Sequence, residues 1–424
     1  MARTKAVLGA GARLSDYLSA SLLARVYPAE RIEQILDEHG VNSQRVRDFP
    51  ALSVAYYCIA LSLYPEAAYE EVFNVVSQGL GWMQGAGPAP APLSSSPRPT
   101  LAKSSISAAR ARVGVNALVA LHARSCLPLT NAVDHPHAFY GGRRLVAIDG
   151  SHFEVPDEAA NAAEFGYPGS RSNASGHAGY PQAQCAVLVE CASHAILSAQ
   201  IGPYRQSECA LCEPLLAGLD ASMLCLADRG FDSYEHWRAA SLTQAALLWR
   251  CKATRLLPVV KTLSDGSYLS VIYPGKLRDA ARRRREGELT VRVIDYRLPG
   301  TAAQTQTQGQ PRYRLITTLL DPIACPALEL AALYHERWEV ELVFDELKTH
   351  LGARRRALRS KTPEGVRQEF YGWVLAHYAV CWLMHAAAGK ARLQQRRLSF
   401  TGNLQLLRRA QPRSGDFPPS AAPT

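Results

Sequence analysis

Two apolar runs that each end in an aspartate decide the fold class of this chain. The first is RRLVAIDG (Arg143–Gly150), and the second is SMLCLADRG (Ser222–Gly230). Each predicts a buried β-strand, which ends at Asp149 in the first run and at Asp228 in the second. Helical segments lie between these and further strand-like runs, so we predict an α/β domain with a mixed sheet. Carboxylates at the carboxyl ends of buried strands lie at the sheet edge where open α/β folds bind ligands.

The flanking segments predict the rest of the domain organisation. Residues 1–87 indicate an all-α N-terminal domain, and residues 88–138 a Pro-, Ala- and Ser-rich linker followed by a basic helix. The α/β domain is expected over 139–385, and alternating, β-branched stretches predict a β-rich insertion at about 254–311. Residues 386–424 indicate a basic helical C-terminus and a disordered tail.

The segment LYHERWEVELVFDELKTHL, which begins at Leu333, predicts a helix with a third acidic group. At ~100° per residue, Tyr334, Arg337, Glu341 and Lys348 share a narrow polar stripe. A carboxylate beside two cations and a phenol could hold a metal and a phosphate backbone together. Ion pairs at i, i+4 on an exposed helix would produce the same stripe. The spacing alone leaves both interpretations open.

Three neighbouring side chains also have alternative interpretations. Asp345 shares the face of the stripe, and the geometry does not exclude it as the acidic group. Trp338 is expected to lie in the core. Arg229 either lowers the pKa of the adjacent Asp228 or forms a structural ion pair with it.

The charge of the chain is concentrated at one end. The 424 residues carry 47 Lys+Arg and 37 Asp+Glu, a net charge of +10. Residues 349–424 hold 13 basic and 3 acidic residues, so the whole excess lies there and the preceding 348 residues are balanced. Such a block indicates a polyanionic partner such as nucleic acid, and a solvated helix face is the alternative.

The remaining composition predicts a cytoplasmic globular protein. The 47% hydrophobic content excludes a disordered chain, and ten cysteines scattered through apolar runs are typical of buried thiols in a reducing compartment. The longest apolar run, residues 373–388, contains His377 and His385 and is short for a membrane span, so we expect no membrane partner. The sequence contains no GxxxxGK[ST], GxSxG or HExxH motif, which argues against an ATPase, a serine hydrolase or a zinc protease.

Three blocks resemble the characteristic blocks of DDE transposases of the insertion-element-four group. They are DGSHFEVPD (Asp149–Asp157), LADRGFDSYEHW (Leu226–Trp237) and LYHERWEVELVFDELKTH (Leu333–His350). The last block matches the Y-x2-R-x3-E-x6-K signature of that group at all four positions. The stretch from SLLARVYPAERIEQILDEHG to YEEVFNVV resembles the N-terminal domain of the same group, and the likeness extends from about Leu14 to Arg409.

This resemblance implies a fold, a chemistry and a set of site residues. It implies an RNase-H-like catalytic core with a β-rich insertion before the acidic helix. Asp149, Asp228 and Glu341 would form the catalytic triad and hold two Mg²⁺ or Mn²⁺ ions. Tyr334, Arg337 and Lys348 would grip the transposon end. The implied activity is hydrolysis at the element ends and transfer of the 3′-hydroxyl to target DNA, by a homodimer in a synaptic complex.

A basic block follows the last signature residue. Its members are Arg354, Arg355, Arg356, Arg359 and Lys361. We predict that they extend the DNA contact by neutralising phosphates, which would make the binding of terminal inverted repeats strongly salt-dependent. The protein would be associated with the nucleoid when bound to DNA. Two alternatives are a degenerate copy that only binds DNA and an RNase-H-like nuclease without strand transfer.

Overall fold

In a computed structural model, the chain forms two compact units, and each unit is built from separate segments of the sequence. The structure describes residues 22–45, 49–74, 76, 101–168, 179–252, 254–275, 284–297, 313–352 and 357–409. The helical unit comprises Met1–Leu129, Phe153–Ala183 and Phe344–Thr424, and the sheet unit comprises Thr130–His152 and Gln184–Val343. The domain boundaries predicted at 87, 138 and 385 stay predictions.

The fold is mixed α/β, as the sequence predicted. The named helices of the described residues are α1 (Ala29–Glu38), α2 (Ala51–Leu63), α3 (Lys103–Val113), α4 (Asn116–Ser125), α5 (Ala159–Phe165), α6 (Glu208–Leu216), α7 (Tyr234–Leu242), α8 (Ala327–Leu333), α9 (Glu339–Asp345), α10 (Pro363–Ala391) and α11 (Phe400–Arg409). The strands are β1 (Phe139–Tyr140), β2 (Arg143–Glu154), β3 (Gln182–Glu190), β4 (Ile196–Pro203), β5 (Met223–Ala227), β6 (Ala246–Arg250), β7 (Lys261–Thr262), β8 (Tyr268–Ile272), β9 (Leu289–Tyr296) and β10 (Tyr313–Thr317).

Helix α2 lies at the centre of the helical unit. Its sequence is apolar on all sides, and it is buried along nearly its whole length. Its backbone lies close to that of α10 at Gly372, where an added Cβ would collide with the carbonyl oxygen of Cys58. The absence of a side chain at Gly372 therefore permits this close packing. The hydroxyl of Tyr27 ties the preceding segment to α10 by donating to the Leu375 carbonyl oxygen at 2.7 Å.

Within the described residues, the strands form one ten-stranded sheet in the order β4-β3-β2-β5-β6-β10-β9-β8-β7, with β1 paired to β2. The central neighbours β2, β5 and β6 are parallel. From β10 outward, the pairs β10–β9, β9–β8 and β8–β7 are antiparallel. The predicted β-rich insertion therefore extends the central sheet, because β9 pairs with β10 and β10 pairs with β6.

One face of this sheet is covered by α6 and α7. Leu215 of α6 and Trp237 of α7 share a buried apolar cluster with strand residues such as Val146, Cys225 and Leu247. Since side chains alternate along a strand, the residues between these positions point to the opposite face. That second face carries Asp149 and Asp228, the two aspartates predicted to lie at the sheet edge.

Two sequence predictions need correction. Asp149 does not end its strand, because β2 continues to Glu154, where Leu358 donates to the Glu154 carbonyl oxygen at 2.9 Å. Pairing of β2 with β5 does stop at Ile148, so Asp149 begins the part of β2 that extends past β5.

The second correction concerns the predicted helix beyond Pro326. Its regular α-helical geometry is broken by a 3₁₀ stretch at Tyr334–Trp338 and by a π-helix at Glu346–Leu351. The uniform ~100° spacing assumed from the sequence therefore holds only between these stretches.

None of the helices in the described part of the chain combines the length and the apolar character that a membrane span needs.

Candidate active site

The sheet register brings the two aspartates side by side. In the parallel pairing, Ile148 lies opposite Ala227, so Asp149 and Asp228 are the next residues on two adjacent strands and share a face. The backbone N–H of Gly150 donates to the Asp149 carboxylate at 2.9 Å, and the backbone N–H of Arg229 donates to the Asp228 carboxylate. Arg229 thus contacts Asp228 through its main chain, and its side chain is exposed.

Arg337 joins the sheet to the acidic helix. Its Nη1 donates to Asp149 at 3.2 Å, and its Nη2 donates to Glu341 at 2.9 Å. The Arg337 side chain is only 6% exposed, whereas that of Glu341 is 44% exposed. This burial and the contact with Asp149 contradict the exposed ion-pair ladder and favour a site. The sheet and the helix together bring Asp149, Asp228 and Glu341 to one place.

The other two signature residues have different surroundings. The hydroxyl of Tyr334 donates to the carbonyl oxygen of Ala227 at 3.2 Å, directly before Asp228. Burial raises the pKa of the Tyr334 phenol, so it stays a neutral donor. Lys348 belongs to the helical unit, where its ammonium lies 5.3 Å from the ring centre of Phe153 and 5.9 Å from that of Phe344.

Trp338 does not lie in the core. The residue is 53% exposed, and the Arg337 guanidinium lies 4.8 Å from the centre of its ring. The 3₁₀ geometry of Tyr334–Trp338 changes which face each residue presents, which the sequence periodicity did not reveal.

The pKa of the Asp149 carboxyl is raised to about 6. Burial is the largest cause, and the charges of Asp228 and Glu341 act in the same direction, while the Gly150 N–H and Arg337 oppose the shift. The raised pKa therefore reports a carboxyl that is shielded from solvent and close to two other acids. Perturbed titration of a convergent carboxylate is typical of a functional site.

Replacement of Asp149 with Asn is expected to stabilise the metal-free protein at pH 7.5. Because the folded-state pKa is raised, the stability of the wild type falls as pH rises from about 4 through 6, by roughly 3 kcal/mol for a shift of this size. The Asn side chain has no charge to lose, so this decline should disappear. Melting temperatures of both proteins, measured in EDTA at pH 5 and pH 7.5, check the expectation.

Glu213→Gln, on the exposed face of α6, is the control and should keep the wild-type pH dependence. An Asp149→Asn protein that is less stable than the wild type at pH 7.5, or that has the same pH dependence, would contradict the expectation.

The structure describes part of the predicted basic block. Arg354, Arg355 and Arg356 lie outside the described residues. Arg359 is half-buried, and its Nη2 donates to the Ala67 carbonyl oxygen at 2.8 Å. Lys361 is exposed and forms a 2.5 Å ion pair with Glu158. Both residues line a cavity of about 690 Å³ in the helical unit, together with Lys103 and Arg110.

A second group of potential metal ligands, which the sequence did not suggest, lies buried in the helical unit. It consists of Glu346, His377 and Cys381. His377 is hydrogen-bonded to Glu346 at 2.8 Å and stacks on Phe400 with ring centres 5.2 Å apart. These contacts satisfy the histidine within the core, and they attach the π-helix to α10.

Comparison with known families identifies the family of this chain. The family model described as "Transposase DDE domain" matches residues 140–379, and the model described as "Insertion element 4 transposase N-terminal" matches residues 18–123. The chain belongs to the DDE transposases, within the group defined by insertion element 4. This confirms the family that the three sequence blocks resembled. Transposases of this family are nucleic-acid-cleaving enzymes that act in DNA transposition with divalent metal ions.

The chain is also similar to individual proteins. The chain is 28% identical over 376 residues to "Transposase InsG for insertion sequence element IS4" of Escherichia coli (strain K12), a match that covers 88% of this chain and 76% of the relative. It is 26% identical to "Putative transposase y4zB" of Sinorhizobium fredii (strain NBRC 101917 / NGR234), over 52% of this chain and 55% of the relative. A cryo-EM structure of a piggyBac transposase synaptic complex with hairpin DNA aligns with 9% identity and a TM-score of 0.47, covering 96% of this chain and 83% of that one.

Proposed function

We propose that this transposase hydrolyses phosphodiester bonds at the ends of an insertion sequence and transfers the freed 3′-hydroxyl to target DNA, using an RNase-H-like core. The observation that carries the proposal is the convergence of Asp149, Asp228 and Glu341 on the sheet face that Arg337 bridges. Two of these acids come from adjacent parallel strands and the third from the facing helix. Such a set needs no covalent protein intermediate to cut DNA.

The donor set fits hard divalent cations. Asp149, Asp228 and Glu341 offer carboxylate oxygens, which Mg²⁺ and Mn²⁺ prefer. The raised pKa of Asp149 is in keeping with this, because it reflects a carboxyl that is shielded from solvent beside two other acids, where a bound cation would stabilise the charged form. We therefore propose that these three residues hold two Mg²⁺ or Mn²⁺ ions. When bound, the metals would activate the attacking oxygen and stabilise the leaving oxygen of an in-line displacement.

The residues of the chain have separate parts in this reaction. Arg337 orients the Asp149 and Glu341 carboxylates, and its planar donors also suit a DNA phosphate. Tyr334 braces the strand end that carries Asp228. We assign DNA-end contacts to Tyr334, Arg337 and Lys348, and we expect a homodimer that joins two terminal inverted repeats with target DNA in one synaptic complex.

Metal-dependent nicking tests this function. A duplex that contains the element end is incubated with the wild type in Mg²⁺, in Mn²⁺ and in EDTA, beside a duplex of scrambled end sequence. We expect nicks at the element end only, and only with metal. Specific binding without nicking in either metal would instead support a degenerate DNA-binding copy, and nicking without end specificity would support a nuclease.

The basic block predicts the salt dependence of end binding. Replacing Arg354, Arg355, Arg356 and Lys361 with Gln should reduce the slope of log K against log salt by about 3 to 4, since each neutralised phosphate contact contributes about 0.9. Titrations of the labelled end at several salt concentrations measure this slope. Arg359 is replaced separately, because its guanidinium also holds the Ala67 carbonyl.

The matched control replaces four exposed cations of the C-terminal region, which are Lys390, Arg392, Arg396 and Arg397. This variant should retain most of the wild-type slope. An unchanged slope after substitution of the basic block would show that the block is a solvated face.

A further inference from the structure

Arg250 lies in the same row of the sheet as the catalytic aspartates. In the parallel pairing of β5 with β6, Ala227 lies opposite Trp249, so Asp228 and Arg250 are the next neighbours at the carboxyl edge. Asp149 precedes them in the row, because Ile148 pairs with Ala227. The order across three strands is therefore acid, acid, guanidinium, with all three side chains on one face.

Two aromatic residues continue this row. Arg250 pairs with Leu315 of β10, and Tyr313, two residues earlier on β10, pairs with Tyr296 of β9. Both tyrosines therefore share the face of Arg250. The Arg250 guanidinium lies 4.8 Å from the Tyr313 ring centre, and the two tyrosine rings lie 5.5 Å apart. This stacking holds the guanidinium plane, and no residue that the structure describes accepts a hydrogen bond from its side-chain N–H groups, which could therefore bind a ligand.

Arg250 is half-buried, and within the described ranges it forms no direct ion pair, although Asp228 is its neighbour on the adjacent strand. Arg292 and Arg314, on neighbouring strands, are both paired with aspartates. The charge of Arg250 reaches the site, since it lowers the pKa of the Tyr334 phenol against the effect of burial. A half-buried cation beside catalytic carboxylates suits an anion supplied by the substrate.

We propose that Arg250, stacked on Tyr313, binds a backbone phosphate of the DNA strand next to the bond that is cut. This site rests on the proposed function, because it requires DNA at the Asp149–Asp228 edge. It adds a binding residue outside the signature helix, and it lies on the sheet extension formed by β9 and β10. The phosphate would be held by a bidentate contact to the guanidinium fork.

The test combines protein and DNA substitutions. Arg250→Ala is expected to weaken binding and cleavage of an end duplex by about 10- to 100-fold, the usual effect of losing a charge-assisted hydrogen bond. Single methylphosphonates, which remove the charge of one phosphate, are then placed one at a time along the strand near the cleaved bond. When the methylphosphonate replaces the contacted phosphate, the affinity and cleavage rate of the wild type should fall by the same factor that Arg250→Ala loses on unmodified DNA. The Arg250→Ala protein should show no additional loss at that position. Arg250→Lys should recover part of the loss.

Controls separate this site from a structural role. Arg238→Ala, an exposed residue of α7 on the opposite face of the sheet, should lose nothing on unmodified DNA. The proposal would be wrong if Arg250→Ala were weaker than the wild type by the same factor on every methylphosphonate duplex, or if it bound and cleaved unmodified DNA as well as the wild type. The transposase function could stand in either case. A wild type that neither binds nor cuts the end would overturn both.

Discussion

Replacement of Asp228 with Asn is expected to lower the rate of end cleavage by about 10³-fold or more. The substitution removes one of the proposed carboxylate ligands of the metal and keeps the side-chain shape. A loss of this size would therefore report metal-dependent stabilisation of the transition state, worth several kcal/mol. Asp149→Asn and Glu341→Gln should behave alike. Single-turnover cleavage of the end duplex in Mg²⁺ measures all three rates.

Two features make this test specific to catalysis. The variants should bind the end duplex at least as tightly as the wild type in EDTA, because each substitution removes a negative charge that repels the DNA backbone. Glu235→Gln, an exposed residue in the first turn of α7 just beyond Asp228, is the matched control and should cleave at the wild-type rate. Undiminished cleavage by any of the three triad variants would remove that residue from the assignment.

The second large effect is expected on stability, at Arg292. Its side chain is fully buried on β9 and forms an ion pair with Asp265. It also donates to three carbonyl oxygens of the segment between β10 and α8, from Leu319, Asp321 and Cys325. Arg292→Ala removes a fully buried side chain together with its ion pair and its hydrogen bonds to these part-buried oxygens, so the free energy of unfolding should fall by about 3–5 kcal/mol.

Denaturant unfolding of Arg292→Ala beside the wild type measures this loss. Arg297→Ala, an exposed arginine one residue past the end of β9, should stay within about 0.5 kcal/mol of the wild type. The segment between β10 and α8, which Arg292 holds by hydrogen bonds, leads into the helix that carries Glu341. We therefore expect the cleavage rate to fall together with the stability. A stable Arg292→Ala protein would show that the segment is held by its apolar contacts alone.

The sequence predicted most of the secondary structure and the three acids. Helix α1 has Ile32 and Ile35 on one buried face, as its periodicity indicated, and the strands that carry Asp149 and Asp228 are buried apolar runs. These features depend on local patterns, which a sequence displays directly. The acidic helix was predicted from the spacing of its signature, and the catalytic role of Glu341 stays a prediction.

What the sequence could not predict depends on contacts between distant residues. Arg292 lies in the alternating run LTVRVIDY, where a charged residue indicates a solvent-facing position. It is buried instead, because it binds partners up to 33 residues away in the sequence. The contact of Arg337 with Asp149 spans 188 residues. No local sequence pattern indicates a role for Arg250, because only the strand register places it beside Asp228.

Strand transfer with a pre-cleaved end tests the central claim most directly. A duplex that ends in the exposed 3′-hydroxyl of the element is incubated with plasmid DNA, Mg²⁺ and either the wild type or Glu341→Gln. We expect the wild type to join the end covalently to the plasmid and Glu341→Gln to yield no joined product. A wild type that nicks element ends but never joins them, or a Glu341→Gln protein that joins them at the wild-type rate, would contradict the account.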